Sequence, residues 1–352
     1  MRHLERTFVR FVQRASALSI VAAQFLIGGA AAQSPAPVNQ YLHKMGLDDS
    51  QIASAAAGQP IVKLMPAKSD RDVVVFGVIG VRVSAAEYLK HALDPGRLIG
   101  AGAQRFHIIP DPATSADVRE VVFDSSEYRD LKDCQKGNCN FKLPAAAMKT
   151  FAEGVNWSAP DAKAQADARL QAGMLRLIEG YRSRGNDAML TYDDQGGVRS
   201  GDSFSALLSQ SADLYEYTPA LQKYLTTYPS NRPPGARDIL YWSNDHLPRV
   251  RPTLTLDHVV VYPSSPGTTV IARKQVYASH YFDSSVEFLA VASAGTQPGD
   301  APIYLVTLRR FRFDNLPGGV LNVRGRVRDG VVGATRSSLE RERSSAERSA
   351  RR

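Results

Sequence analysis

The chain is short of nearly everything that marks a specific chemistry. It has two cysteines and seven histidines in 352 residues, the histidines scattered without metal-ligand spacing. Two cysteines alone do not make a zinc site. Their spacing, Cys134-x4-Cys139, also differs from the two-residue spacing of redox pairs. No Gly-x-Ser-x-Gly elbow is present. Gly100-Ala101-Gly102 begins like a dinucleotide loop, but Arg105 stands where the third glycine belongs. No solenoid or propeller repeat is visible. These absences leave no metal or cofactor indicated. Beyond the first thirty-odd residues no apolar run is long enough for a transmembrane helix.

What is present at the start has the three parts of a secretory signal. Arg2, Arg6, Arg10 and Arg14 precede an apolar stretch at 15–27, and Ala30-Ala31-Ala32 follows. This reads as a signal peptide over residues 1–32, cleaved after Ala32, which implies a periplasmic or secreted protein. Cys134 and Cys139 then meet an oxidising compartment, and Gly137-Asn138 between them favours a tight turn, so they read as a disulfide. Closing so small a loop stabilises by about 2 kcal/mol in the chain-entropy model.

The formal charge of +8 is uneven. The leader supplies part of it. The stretch 322–352 holds nine arginines against four acids, so the body between is near neutral and a nucleic-acid-binding domain is not expected. The arginine-rich end past Leu339 has no apolar residue larger than alanine. It reads as a disordered tail over 340–352, with at most weak contact to anionic surfaces.

Periodicity predicts short helices at 38–46 and 49–58, then a short strand at 61–64. A buried strand (VVVFGVIGVRV) follows within 72–83 and runs into the capping box Ser84-x-x-Glu87. Residues 100–143 read as short strands and turns, including 120–123. Helical spacing fills 145–155, 161–184, 204–214 and 219–227. Strands are expected at 239–242, 253–262, 269–282, 286–292 and 303–313, with turns at 263–267 and 295–300. Val320, Val323, Val327 and Val331 then fall at helical intervals. Gly325, Gly330 and Gly333 weaken that helix by roughly 1 kcal/mol each.

Among candidate sites, Leu254, Leu256, His258 and Val260 share one face of a strand, and Val276, Ala278, His280 and Phe282 share one face of the next. A hairpin turning near Ser265 places His258 opposite about Arg273. The two histidines then stand roughly 24 Å apart and do not share a catalytic centre. Gly201-Asp202-Ser203 resembles one esterase nucleophile block, but the downstream Asp-x-x-His of that family is missing. Tyr215, Tyr217, Tyr224 and Tyr228 read as helix packing more readily than as a sugar platform.

The order of elements resembles the START-type helix-grip family. A strand runs directly into a capped helix (73–93), antiparallel strands follow from 238, and an amphipathic helix closes the chain near 339. The resemblance implies an α+β fold in which a curved antiparallel sheet wraps the last helix and encloses a cavity for apolar molecules. The domain would span 72–339 with a helical insertion at about 144–228, after a linker with short helices at 33–71. The expected function is binding of a hydrophobic or amphipathic, lipid-like molecule by Leu254, Leu256, His258, Val276, Ala278, His280 and Phe282 together with the closing helix. The alternatives are an envelope hydrolase and a protein-interaction module docking through the helical middle.

Overall fold

The computed structural model describes residues 37–99, 103–246, 251–294, 302–316 and 322–351. The proposed leader, the glycine pair at 100–102 and the expected turn at 295–300 lie outside the described residues. The strands are β1 (Ile61–Met65), β2 (Asp72–Val81), β3 (Ala103–Ile108), β4 (Thr191–Tyr192), β5 (Val198–Arg199), β6 (Arg237–Asp245), β7 (Thr253–Ser265), β8 (Thr268–Ala278), β9 (Phe282–Ser293) and β10 (Ile303–Phe313). The helices are α1 (Pro37–Lys44), α2 (Asp49–Ala56), α3 (Ala85–Ala92), α4 (Pro95–Leu98), α5 (Glu127–Lys132), α6 (Ala145–Gly154), α7 (Ala162–Arg184), α8 (Ser200–Ser209), α9 (Ala212–Tyr215), α10 (Pro219–Thr227) and α11 (Val323–Ser349).

The fold is α+β. Eight strands form one antiparallel sheet in the order β1-β2-β10-β9-β8-β7-β6-β3. The Val-rich run 72–81 becomes β2, an inner strand buried along its whole length, as its lack of polar alternation requires. It enters α3 through the predicted capping box: Ser84 Oγ accepts the Glu87 amide and the Glu87 carboxylate accepts the Ser84 amide.

The two glycines of β2 serve opposite faces. A Cβ on Gly77 would stand 3.0 Å from Leu339 and 3.3 Å from Thr335, both on α11. One on Gly80 would stand 2.7 Å from the Ala55 carbonyl at the end of α2. Each glycine lets a helix lie directly on the strand.

One face of the sheet carries α3, α4 and α11. Leu339 and Ala346 of α11 join Ile79, Val81 and Leu305 in a buried cluster, and Val327 and Val331 pack beside Val73, Val75 and Leu316. The other face carries α1 and α2 over β2 and β10. Along β6–β9 it carries the helical middle. There Met174, Leu177, Ile178 and Tyr181 of α7 share the largest buried cluster with Leu240, Leu256, Val260 and Phe288. The helical middle is therefore one side of the main core.

Two expectations give way. Residues 120–123 form no strand. Val121 and Phe123 are buried in the main cluster, while the carbonyls of Arg119 and Val121 accept hydrogen bonds from the Gln171 side chain of α7. The arginine-rich end is also not a disordered tail, because α11 continues helical through Ser349. Its charges find partners that composition hides. Arg336 donates to the Pro60 carbonyl at 3.0 Å, Arg343 donates to the Gly58 carbonyl, and Glu347 pairs with Arg343 at 3.2 Å and accepts the Arg82 amide at 3.1 Å.

Candidate ligand cleft between the sheet and the closing helix

A cleft of about 840 Å³ lies between the sheet and α11. Alternation along the strands decides its lining. On β7, Thr253, Thr255 and Asp257 face the cleft, while Leu254, Leu256 and His258 face α7. Val323, Val327 and Val331, part of the predicted valine stripe, line it from α11. Phe282, Phe311 and Phe313 stack in a cluster with ring centroids 4.9–6.4 Å apart and form an aromatic wall.

The sheet side is polar and buried. Asp257 accepts a hydrogen bond from Thr255 at 2.7 Å, and Thr255 bonds Ser243 at 3.0 Å. Burial pushes the Asp257 carboxyl up to about 7, with the Arg273 guanidinium and the Thr255 hydroxyl pulling the other way. Asp245 is also raised by burial. Arg273 donates to the Leu98 carbonyl and stays charged. Glu287 pairs with Arg309 at 3.2 Å. Gln275, buried beside these groups, has its Oε1 without a hydrogen-bond partner among the described residues, a cost unless a ligand atom meets it.

The residues expected to line the cavity are mostly elsewhere. Leu254, Leu256 and Val276 are core residues against the helical middle. The strand face chosen from hydrophobicity is the one that packs on helices, and its polar reverse side faces the cleft. His258 is enclosed: Tyr181 Oη bonds its Nδ1 at 2.8 Å, and its Nε2 bonds Asp238 at 2.9 Å. Burial lowers its pKa against the pull of Asp238, so the ring is neutral and donates from Nε2. It pairs with Lys274, one residue from the expected register, and Arg273 pairs with Val259. Lys274 is fully buried, with its amine donating to Asn186 and standing 4.8 Å from the Tyr181 ring centroid; burial pushes its pKa far down.

His280 lies past the end of β8, between the Glu127 carboxylate at 2.7 Å and the Asn140 carbonyl at 2.8 Å. The face-sharing series from Val276 to Phe282 fails because β8 carries a bulge. Asp257 pairs with Gln275 and Leu256 with Tyr277, leaving Val276 extra. Gln275 therefore faces the cleft, Tyr277 faces the helical middle, and Ala278 pairs with Thr255. Of the seven, only Phe282 lines the cleft. Asp257, Gln275 and Arg273 were missed. Their signal is the polar half of the alternation in β7 and β8, a kind of strand face that usually meets water.

Cys134 and Cys139 form a disulfide across a turn in which Gly137 has φ of +80°, a conformation that favours glycine. Among the described residues no group of three or more His, Cys, Asp or Glu side chains is placed to hold a metal ion. Among them too, no helix is long and apolar enough to cross a membrane. In comparison with known proteins, no family model, no curated protein sequence and no solved structure matches this chain, so the site is read from its own geometry.

Proposed function

We propose that this protein works outside the cytoplasm and binds an amphipathic, lipid-like molecule in the cleft between the sheet and α11, in the manner of a helix-grip fold. The observation that carries the reading is the cleft's two-part lining. Three phenylalanines and the valine stripe form an apolar wall, and the buried sheet side presents Thr253, Thr255 and an unsatisfied Gln275 amide oxygen. Its size falls within the range of small-molecule sites, roughly 300–1,000 Å³. An acyl chain fits against the aromatic wall, and a hydroxyl-bearing head fits the sheet, where Gln275 accepts a hydrogen bond. The disulfide fits an oxidising compartment. A hydrolase reading has less support, because among the described residues the lining includes hydroxyls and carboxylates but no histidine to serve as their base.

The test is titration of the purified chain with a fluorescent monoacylglycerol analogue, together with solvent extraction and mass spectrometry of protein prepared from an envelope fraction. Val331→Trp, which fills the cleft, is expected to weaken uptake at least tenfold, while Arg326→Trp on the exposed side of α11 leaves it unchanged. No uptake and no co-purified lipid, or full uptake by Val331→Trp, refutes the reading.

A further inference from the structure

We propose a second binding site in the groove between α6 and α7, for a small and mainly apolar acid that carries another oxygen function at the end away from its acid group. The groove encloses about 310 Å³, the lower end of the range for small-molecule sites. It lies on the opposite face of the sheet from the α11 cleft and shares no residue with it.

Three observations define the occupant. The first is shape. Gly173 and Gly180 of α7 line the groove, and a Cβ on Gly173 would meet nothing closer than a flexible Arg176 nitrogen at 4.0 Å. Seven residues apart on one helix, the two glycines stand on the same face; Gly173 leaves open space, while a Cβ on Gly180 would stand 3.3 Å from the flexible Arg184 guanidinium and 3.5 Å from the Ala188 Cβ. The second is charge. Arg169, Arg176 and Arg184 are the charged residues of the lining, with no acid among them. Arg176 and Arg184 are exposed and, among the described residues, neither pairs with a carboxylate. A planar guanidinium at the mouth of an apolar slot suits a carboxylate.

The third observation is the Tyr277 hydroxyl. Tyr277 lines the groove, is 3% exposed, and its Oη has no hydrogen-bond partner among the described residues. Burial holds the phenol protonated, its pKa well above the usual value, so the hydroxyl is a donor as well as an acceptor. A purely apolar tail would leave it unsatisfied. An oxygen at the inner end of the ligand satisfies it. Acid at the mouth, apolar middle and inner oxygen together describe a hydroxy- or oxo-acyl acid, or a phenolic acid of similar length. A protein helix does not fit this pattern, since it would bring a wide surface to a slot of this size.

The test is calorimetric titration of the full chain with 8-hydroxyoctanoate, octanoate and octane-1,8-diol. Expected is tightest binding by 8-hydroxyoctanoate, with about tenfold loss for octanoate, which lacks the inner oxygen, and a comparable or larger loss for the diol, which lacks the charge. Tyr277→Phe is expected to abolish the preference for 8-hydroxyoctanoate over octanoate while leaving octanoate binding in place. Arg176→Gln with Arg184→Gln is expected to remove the preference for acids over the diol. Measured in the Val331→Trp background, which fills the other cleft, Gly173→Leu, a better helix former, is expected to abolish binding of all three in a folded protein. The proposal is overturned if none of the three binds, if Tyr277→Phe keeps the wild-type preference, or if Gly173→Leu binds normally. Self-association that Gly173→Leu abolishes, without acid binding, overturns it in favour of a second copy of the chain.

Discussion

Lys142→Met is the most informative change for stability. The Lys142 ammonium is 3% exposed and lies 2.9 Å from Asp283, 3.6 Å from Asp194 and 3.7 Å from Asp314. Arg71 approaches Asp283 at 2.7 Å from the solvent side, but among the described residues neither Asp194 nor Asp314 has an ion pair with another cation. Methionine keeps the volume and removes the charge, so three carboxylates remain together with one peripheral cation. Breaking a buried pair from one side costs about 3–5 kcal/mol. For the roughly 300 described residues, at about 2.1 cal/mol/K per residue, that corresponds to a fall in Tm of about 5–8 °C.

The loss should depend on pH. Burial raises the carboxyls of Asp194 and Asp314, and Lys142 is the leading influence that lowers them. Without it both rise further. A carboxyl whose folded pKa exceeds its unfolded value costs stability as pH rises through the folded pKa, and the cost disappears below the unfolded value. The Lys142→Met penalty should therefore be largest above neutrality and shrink toward pH 4. Urea unfolding between pH 5 and 8 measures it, and Lys142→Met with Asp283→Asn should recover part of the loss. A penalty under about 1 kcal/mol at pH 8, or one that grows on acidification, would refute the account.

Asp257→Asn tests the cleft's sheet side. Because the folded carboxyl titrates at about 7, the wild type loses stability as pH rises from about 4 to 7, and the variant does not. The variant should be more stable by a few kcal/mol at pH 9 and equal near pH 4, as chemical denaturation at the two pH values will read. Gly330→Ala and Gly333→Ala meet nothing within 4 Å. Each should raise the unfolding free energy by about 1 kcal/mol through helix propensity, read by urea denaturation, and a fall would mean that α11 needs those glycines. Cys139→Ser should cost about 2 kcal/mol through loss of a short closed loop, matched by the Tm shift of wild type under reductant.

The sequence carried the elements better than the faces. The capping box at Ser84, the strand at 303–313 and the helix at 219–227 were legible because each rests on local rules: a cap pair, a run of strand formers, an N1 proline. The site was not legible for a non-local reason. With helices on both sides of the sheet, both faces of β7 are buried, and hydrophobicity no longer identifies the face that holds a cavity. Leu254 and Leu256 mark the packed side, while Thr255 and Asp257 mark the hollow one. The tail was misread for a related reason. Arg336 and Arg343 are held by the carbonyls of Pro60 and Gly58, partners distant in the chain that composition does not reveal.

The extra residue in β8 has a consequence for how the molecule could be altered. Because Val276 interrupts the two-residue beat, β8 acts as a partition whose neighbouring positions 275 and 277 open into different rooms. Excising Val276 would remove the extra residue and restore the plain beat, with Tyr277 still opposite Leu256 and Ala278 still opposite Thr255. That single deletion would straighten the partition while each room keeps its facing residues, whereas point substitution at 275 or 277 edits one room and spares the other.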